Sequence, residues 1–208
     1  DVGSLSRAIQ KQVINKTQFP EGYKAEIRGE IESMQDAVKQ MGNGFLLSVL
    51  LVYLILVVQF RSFILPAIMM ITVPLGLVGV VLMLFSTNTY FSLQAGIGTI
   101  FLIGIAVANG VLLVEFLLHK IEHDKLSVDE GILEGAKARL RPILMTALAS
   151  ILGLTPMAIG LGKGSEANIP LGRAVIGGQF LATLLTLFVV PTIFRAVYNR
   201  FIYKEGVQ

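Results

Sequence analysis

"GIAVANGVLLVEF", residues 104–116, is the middle and end of a long apolar run that still holds Asn109 and, six residues later, Glu115. The whole run covers about residues 93–118, and Glu115 is its single charge. About 20 consecutive apolar residues cross the hydrocarbon of a bilayer, so this run is long enough to be a membrane-spanning helix. An amide and a carboxylate inside such a helix need partners or a task, because lipid offers no water to satisfy them.

Four further runs have the same character, at about 44–60, 63–86, 142–162 and 172–198. The 208 residues are 54% hydrophobic, and the apolar residues are gathered into these blocks instead of being scattered through the chain. The expected fold class is therefore an α-helical membrane protein with five transmembrane helices. Pro74 and Pro156 lie within runs, where kinks are expected because neighbouring helices can satisfy freed carbonyls. Gly96, Gly98, Gly104, Ala108 and Gly110 crowd the third run. Small residues let a neighbouring helix approach closely, so this run is expected at the centre of the bundle.

Residues 1–40 are polar. Leu5, Ile9 and Val13 fall at helical spacing, Phe19–Gly22 signals a turn, and the alternation over 23–29 predicts a strand. Apolar positions 31, 34, 38, 41 and 45 return to helical spacing and predict a helix running straight into the first span. A helix, a turn and a strand bury too little to fold alone. The segment reads as the end of a larger α+β domain outside the membrane.

Between the third and fourth runs, Ser127 and Glu130 form an S-x-x-E capping box. Val128, Ile132, Ala136 and Leu140 then make one apolar stripe, which predicts a short interfacial helix at about 127–138. Lys and Arg set the orientation. Arg61, Lys120, Lys125, Lys137, Arg139, Arg141, Arg195, Arg200 and Lys204 all fall on one side; the opposite loops hold only Lys163 and Arg173. The basic side is the cytoplasmic one. Residues 1–43 are then outside and the C-terminus inside, and the odd span number suggests a span ahead of this segment.

Several chemistries find no support. Cysteine is absent, which excludes disulfides and thiolate metal sites. His119 and His123 are four apart at a helix end, but no third ligand accompanies them, so no metal site is expected. The glycines of residues 160–178 do not form G-x-x-x-x-G-K-[ST]. Neither a nucleophilic triad nor paired carboxylates occur, so no enzyme, cofactor or nucleic-acid partner is expected.

The polar residues in the spans are the candidate site. Asn109 either joins a polar cluster that moves protons or ions, or makes a helix–helix hydrogen bond. Glu115 lies about 9 Å further along the axis at ~1.5 Å per residue, near the cytoplasmic interface. There it is expected to pair with Arg139 or Arg141. Pro142 is read as the first residue of the fourth span, with Thr146 one turn inside. Thr146 either bonds back to the Pro142 carbonyl or faces Asn109 across the bundle.

"FRSFILPAIMMITVPLGLVG" (60–79), "GIAVANGVLLVEF", "RLRPILMTALASILGLTPMA" (139–158) and "PLGRAVIGG" (170–178) together resemble the second half of resistance–nodulation–division (RND) efflux transporters, in order and spacing. The resemblance covers essentially the whole chain. It implies spans eight to twelve of a twelve-span inner-membrane transporter, residues 1–40 being the last piece of its periplasmic porter domain. It further implies a proton-driven exporter of small molecules, working as a homotrimer with a periplasmic adaptor and an outer-membrane channel. The family's proton relay maps onto Asn109, Thr146 and Arg139, with Glu115 adjacent. Where the family pattern has a lysine, directly before Asn109, this chain has Ala108. Alanine cannot switch partners with a proton, which leaves a second reading open. In that reading the chain is a non-transporting half that scaffolds or regulates a complex, or a related lipid- or protein-export subunit.

Overall fold

The computed structural model describes residues 30–198 except Lys163, and residues 12 and 200 singly. The helix, turn and strand expected over 5–29, and with them most of the α+β porter piece, lie outside the described residues. The chain divides into two units at Leu46/Leu47, and the fold described below is that of the second.

All regular structure among the described residues is helical. The helices are α1 (Glu30–Phe60), α2 (Ile64–Met70), α3 (Thr72–Ser86), α4 (Leu93–Glu122), α5 (Val128–Ile159) and α6 (Ile169–Val197), with a 3₁₀ turn at Ser165–Asn168. Five stretches are long and apolar enough to cross a membrane: Asp36–Phe60, Ile64–Ser86, Leu93–Glu122, Val128–Ile159 and Ser165–Val197. These contain the five expected runs almost completely, because length and apolar content decide membrane crossing whatever the packing. α1 is continuous from Glu30, as the spacing from Ile31 predicts.

One expectation is sharpened and one needs correction. The run at 63–86 is one span, Ile64–Ser86, broken at Ile71 beside the kink expected at Pro74. Pro74 has no N–H to offer the Met70 carbonyl and its ring crowds that residue. The Thr72 hydroxyl meanwhile donates to the Met69 carbonyl at 2.8 Å, so the break falls one turn before the proline. Conversely, the interfacial helix of 127–138 and the span of 142–162 are one helix of 32 residues. Pro142 sits inside it and does not begin it. One missing N–H there is outweighed by the intact turns on either side. Its start does follow the capping box: the Ser127 hydroxyl oxygen accepts from the Glu130 N–H at 3.4 Å, and the same hydroxyl donates to the Glu130 carboxylate at 2.7 Å.

The turns between helices use left-handed backbone. Arg61, Asn88 and Lys125 have positive φ, as do Gly160, Gly162 and Gly164. Gly160 closes α5 with φ 81°, and its N–H returns to carbonyls of the last turn.

α6 is the hub, packing on α3, α4 and α5, while α4 also packs on α5. Backbones touch where glycines meet. A Cβ built on Gly79 would fall on the Gly177 carbonyl oxygen, and one on Gly98 would stand 2.9 Å from the Leu171 carbonyl oxygen. Val80, Leu84, Ala95, Leu102 and Ala174 form a buried apolar cluster among these three helices. α4 is thus central, as its small residues predict. Arg173 ties three elements together. Its Nε donates to the Ala158 carbonyl at 3.1 Å, and Nη1 to the Thr89 hydroxyl at 2.6 Å and the Thr87 carbonyl at 3.4 Å.

Candidate functional site

Asn109 and Gly110 are buried on α4, where the helix passes the break between α2 and α3. A Cβ on Gly110 would stand 3.6 Å from the Thr72 methyl and 3.8 Å from the Met69 carbonyl oxygen. Asn109 is 9% exposed, and its amide makes no hydrogen bond among the described residues. The simple helix–helix bond is therefore not formed within this set of helices. The amide is therefore open to a partner beyond these helices.

The adjoining face of α4 is open. Ile97, Phe101, Gly104, Ala108, Leu112 and Glu115 recur at steps of four and three residues, and all are exposed. Ala108 lies in the middle of this stripe. A Cβ on Gly104 would meet nothing within 4 Å. Glu115 closes the stripe towards the basic end of the helix.

The partners expected for Glu115 do not come to it. Among the described residues neither Arg139 nor Arg141 forms an ion pair with it. Arg139 instead lays its guanidinium over the neighbouring Phe116 ring, 4.7 Å from the ring centre, in a cation–π contact. Its Nε is buried without a hydrogen-bond partner. The correction has a steric origin. Leu117 faces Gly135 and Ile121 faces Gly131, so α4 and α5 run antiparallel with Phe116, not Glu115, turned towards α5.

The same register sets Asn109 level with Ile143, and Thr146 almost one turn from it. The Thr146 hydroxyl donates to the Ile143 carbonyl at 3.0 Å, not to the Pro142 carbonyl, and no hydrogen bond joins Thr146 to Asn109. Thr146, Ala108 and Glu115 are all exposed, while Asn109 and Arg139 are partly or wholly covered. The sequence-identified residues thus occupy two adjacent helices but do not form a closed cluster within them.

At the basic end, sequence reasoning missed a network. Lys120 Nζ lies 2.6 Å from Asp124 and 3.9 Å from Glu134, linking α4, its loop and α5. The hydrogen bond from Lys120 holds the Asp124 carboxyl below its ordinary value, assisted by the charge of Lys120 and by His119 and His123. His119 and His123 stack with centroids 4.8 Å apart. Arg195, in the last turn of α6, grips Asp129 of the first turn of α5 at 2.7 and 2.8 Å. Opposite charges at i,i+4 signal the first of these pairs in the sequence; the others join residues distant along the chain.

The AcrB/AcrD/AcrF family model matches residues 1–198. The chain belongs to this family of RND transporters. It is 37% identical over its full length to the swarming motility protein SwrC of Bacillus subtilis, of which it covers 20%. It is 36% identical over 96% of its length to the nickel-cobalt-cadmium resistance protein NccA of Alcaligenes xylosoxydans xylosoxydans, covering 18% of it. The crystal structure of a heavy metal efflux pump superposes with a TM-score of 0.79 at 28% identity, over 94% of this chain and 20% of that one. The chain thus spans about a fifth of the length of these relatives. Relatives of this family are efflux transporters, not enzymes, and the five long apolar helices make this a multi-pass membrane protein.

Proposed function

We propose that the chain is the C-terminal membrane half of a proton-driven exporter in the bacterial inner membrane. Residues 1–40 are the end of its periplasmic porter domain, and residues 41–208 supply spans eight to twelve. The N-terminal segment is periplasmic and the C-terminus cytoplasmic. The exporter is a homotrimer completed by a periplasmic adaptor and an outer-membrane channel. NccA and the heavy metal efflux pump carry metals in their names, so divalent metal ions are the first substrates to test.

The observation that carries this reading is the unpartnered Asn109 amide beside the open stripe of α4. An intramembrane polar group without a partner in its own half is supported by groups arriving from the other half. With Ala108 in place of a lysine, Asn109 becomes the polar centre of the relay, flanked by Thr146 and Arg139. The arriving groups are acidic side chains of the N-terminal half, whose protonation Asn109 registers through its N–H donors. Glu115 lines the cytoplasmic end of the same seam.

Export is measured in cells carrying the full-length transporter and its Asn109→Leu variant. The expected outcome is loss of export with trimer assembly intact. Unchanged export with Leu at 109 would overturn the relay role. Ala108 favours a second reading, a scaffold half that does not transport. In that case the unaltered protein confers no export at all, although it assembles in the membrane.

A further inference from the structure

The charges of α5 stop at Arg141, and no Asp, Glu, Lys or Arg follows before Lys163. The hydrocarbon edge on this helix therefore lies at about Arg141. Lys137 stands one turn ahead of it. Both side chains are exposed, and neither forms an ion pair or a hydrogen bond among the described residues. The acids of the same helix are engaged elsewhere. Asp129 holds Arg195, Glu130 accepts from Ser127, and Glu134 leans to Lys120 on α4 at 3.9 Å. The third cation of α5, Arg139, lies over Phe116. Lys137 and Arg141 are thus left as neighbours at i,i+4, where like charges repel unless an anion joins them.

Both lie on the side of α5 that its packing leaves free. The buried residues of this stretch are Gly131, Gly135, Ile143 and Ala147. Two residues along a helix are about 160° apart round its axis, which puts Lys137 opposite Gly135 and Arg141 opposite Ile143. The same step sets both of them opposite Arg139, away from the residues named for the relay. Beyond Arg141 this face continues as Leu144, Leu148 and Leu152, exposed by 36%, 56% and 68%. The eleven residues from Arg141 to Leu152 span about 16 Å at ~1.5 Å per residue, roughly half of the ~30 Å hydrocarbon and so the depth of one leaflet.

We propose that Lys137 and Arg141 bind the phosphate of one acidic phospholipid, whose acyl chains lie along Leu144, Leu148 and Leu152. Two cations at the hydrocarbon edge, with a leaflet's depth of leucine beneath them, match the polarity and length of one lipid molecule. The guanidinium of Arg141 offers a fork of donors to phosphate oxygens, and the Lys137 ammonium adds a point charge from the turn before. A lipid with net negative charge is selected over a zwitterionic one, because only the former neutralises the pair. A further helix is the poorer cover. Helix contacts within this bundle are made at glycines, as at Gly131 and Gly135, whereas this face presents long side chains. The site needs only the membrane boundary. It depends neither on proton coupling nor on which leaflet this end of the helix meets.

The test places a photo-crosslinking amino acid at position 148 of the full-length protein. The protein is reconstituted in vesicles of equal parts phosphatidylglycerol and phosphatidylcholine with matched chains, and the adducts are identified by mass spectrometry. The expected result is an excess of phosphatidylglycerol among the adducts. That excess should fall roughly five-fold for each charge removed, in Lys137→Gln, in Arg141→Gln and in the double variant. Lys125→Gln, in the loop ahead of α5, should leave it unchanged. Adducts in the proportion of the vesicle overturn the proposal, and so does an excess that survives the double variant. A second experiment irradiates the same protein in its native membrane, where a protein adduct at position 148 in place of a lipid adduct would overturn the choice of occupant. If the double variant does not assemble, the two single variants carry the comparison.

Discussion

Arg173 shows how one side chain can tie one end of the bundle together. Its guanidinium binds the end of α5 and the turn after α3 from its own place in the first turns of α6. Arg173→Met removes all three bonds and leaves two carbonyls and a hydroxyl to find other partners. The expected loss is about 2 kcal/mol, read as a lower thermal midpoint of the purified full-length protein. Arg173→Lys should recover only part of it, since an ammonium cannot reach both sides in the fork geometry of a guanidinium. Glu115 is the contrasting residue. It has no ion pair or side-chain hydrogen bond among the described residues, so Glu115→Gln should leave the folding of these helices unchanged and alter only the fit of whatever covers the stripe. An unchanged melting midpoint of this half under proteolysis-coupled mass spectrometry checks that expectation.

Among the helices, the closest contact is between α3 and α6. Gly79 and Gly177 face each other so closely that a Cβ on Gly177 would stand 2.7 Å from the Gly79 carbonyl oxygen and fall on the Met83 side chain. Gly177→Ala is therefore expected to force the helices apart and cost about 1–3 kcal/mol, the usual range for overpacking. Gly153→Ala is the control. A Cβ there meets nothing within 4 Å, and helix propensity favours alanine by up to about 1 kcal/mol. Thermal unfolding of both variants separates a packing glycine from a merely small one. The α4–α5 loop responds to pH in one direction. Asp124 is held below its ordinary value, so its contact with Lys120 is present above the normal carboxylate range and is lost as pH falls through the lowered value. Acidification should loosen residues 119–127, and Asp124→Asn should abolish that dependence in hydrogen exchange compared at matched intrinsic rates.

For the molecule as a whole, the decisive feature is that a central helix has one face uncovered. α4 packs on α3, α5 and α6, yet its stripe from Ile97 to Glu115 stays open. A carboxylate on that stripe argues against lipid as its cover. The proposed orientation is testable with the absence of native cysteine in these 208 residues. In an otherwise cysteine-free full-length protein, Asn88→Cys should react with an impermeant maleimide from the periplasmic side. Lys125→Cys should react only after the inner membrane is opened. The reverse pattern would invert the topology.

The spans, their number and the centrality of α4 were legible in the amino-acid order, because hydrophobic length and small-residue content are local quantities. The capping box at Ser127 was legible for the same reason. The family resemblance rested on runs of residues and needed no contacts. Packing settled what local pattern could not. The break at Ile71 depends on a threonine hydroxyl competing with helical bonding just ahead of Pro74, and the continuity of α5 through Pro142 depends on the turns flanking it. Arg139 chose the Phe116 ring because the α4–α5 register turns Glu115 away. Gln179 reads in the sequence as one more polar residue. Only the folded bundle covers it and leaves its amide oxygen without a partner among the described residues, since desolvation is imposed by neighbours far apart along the chain.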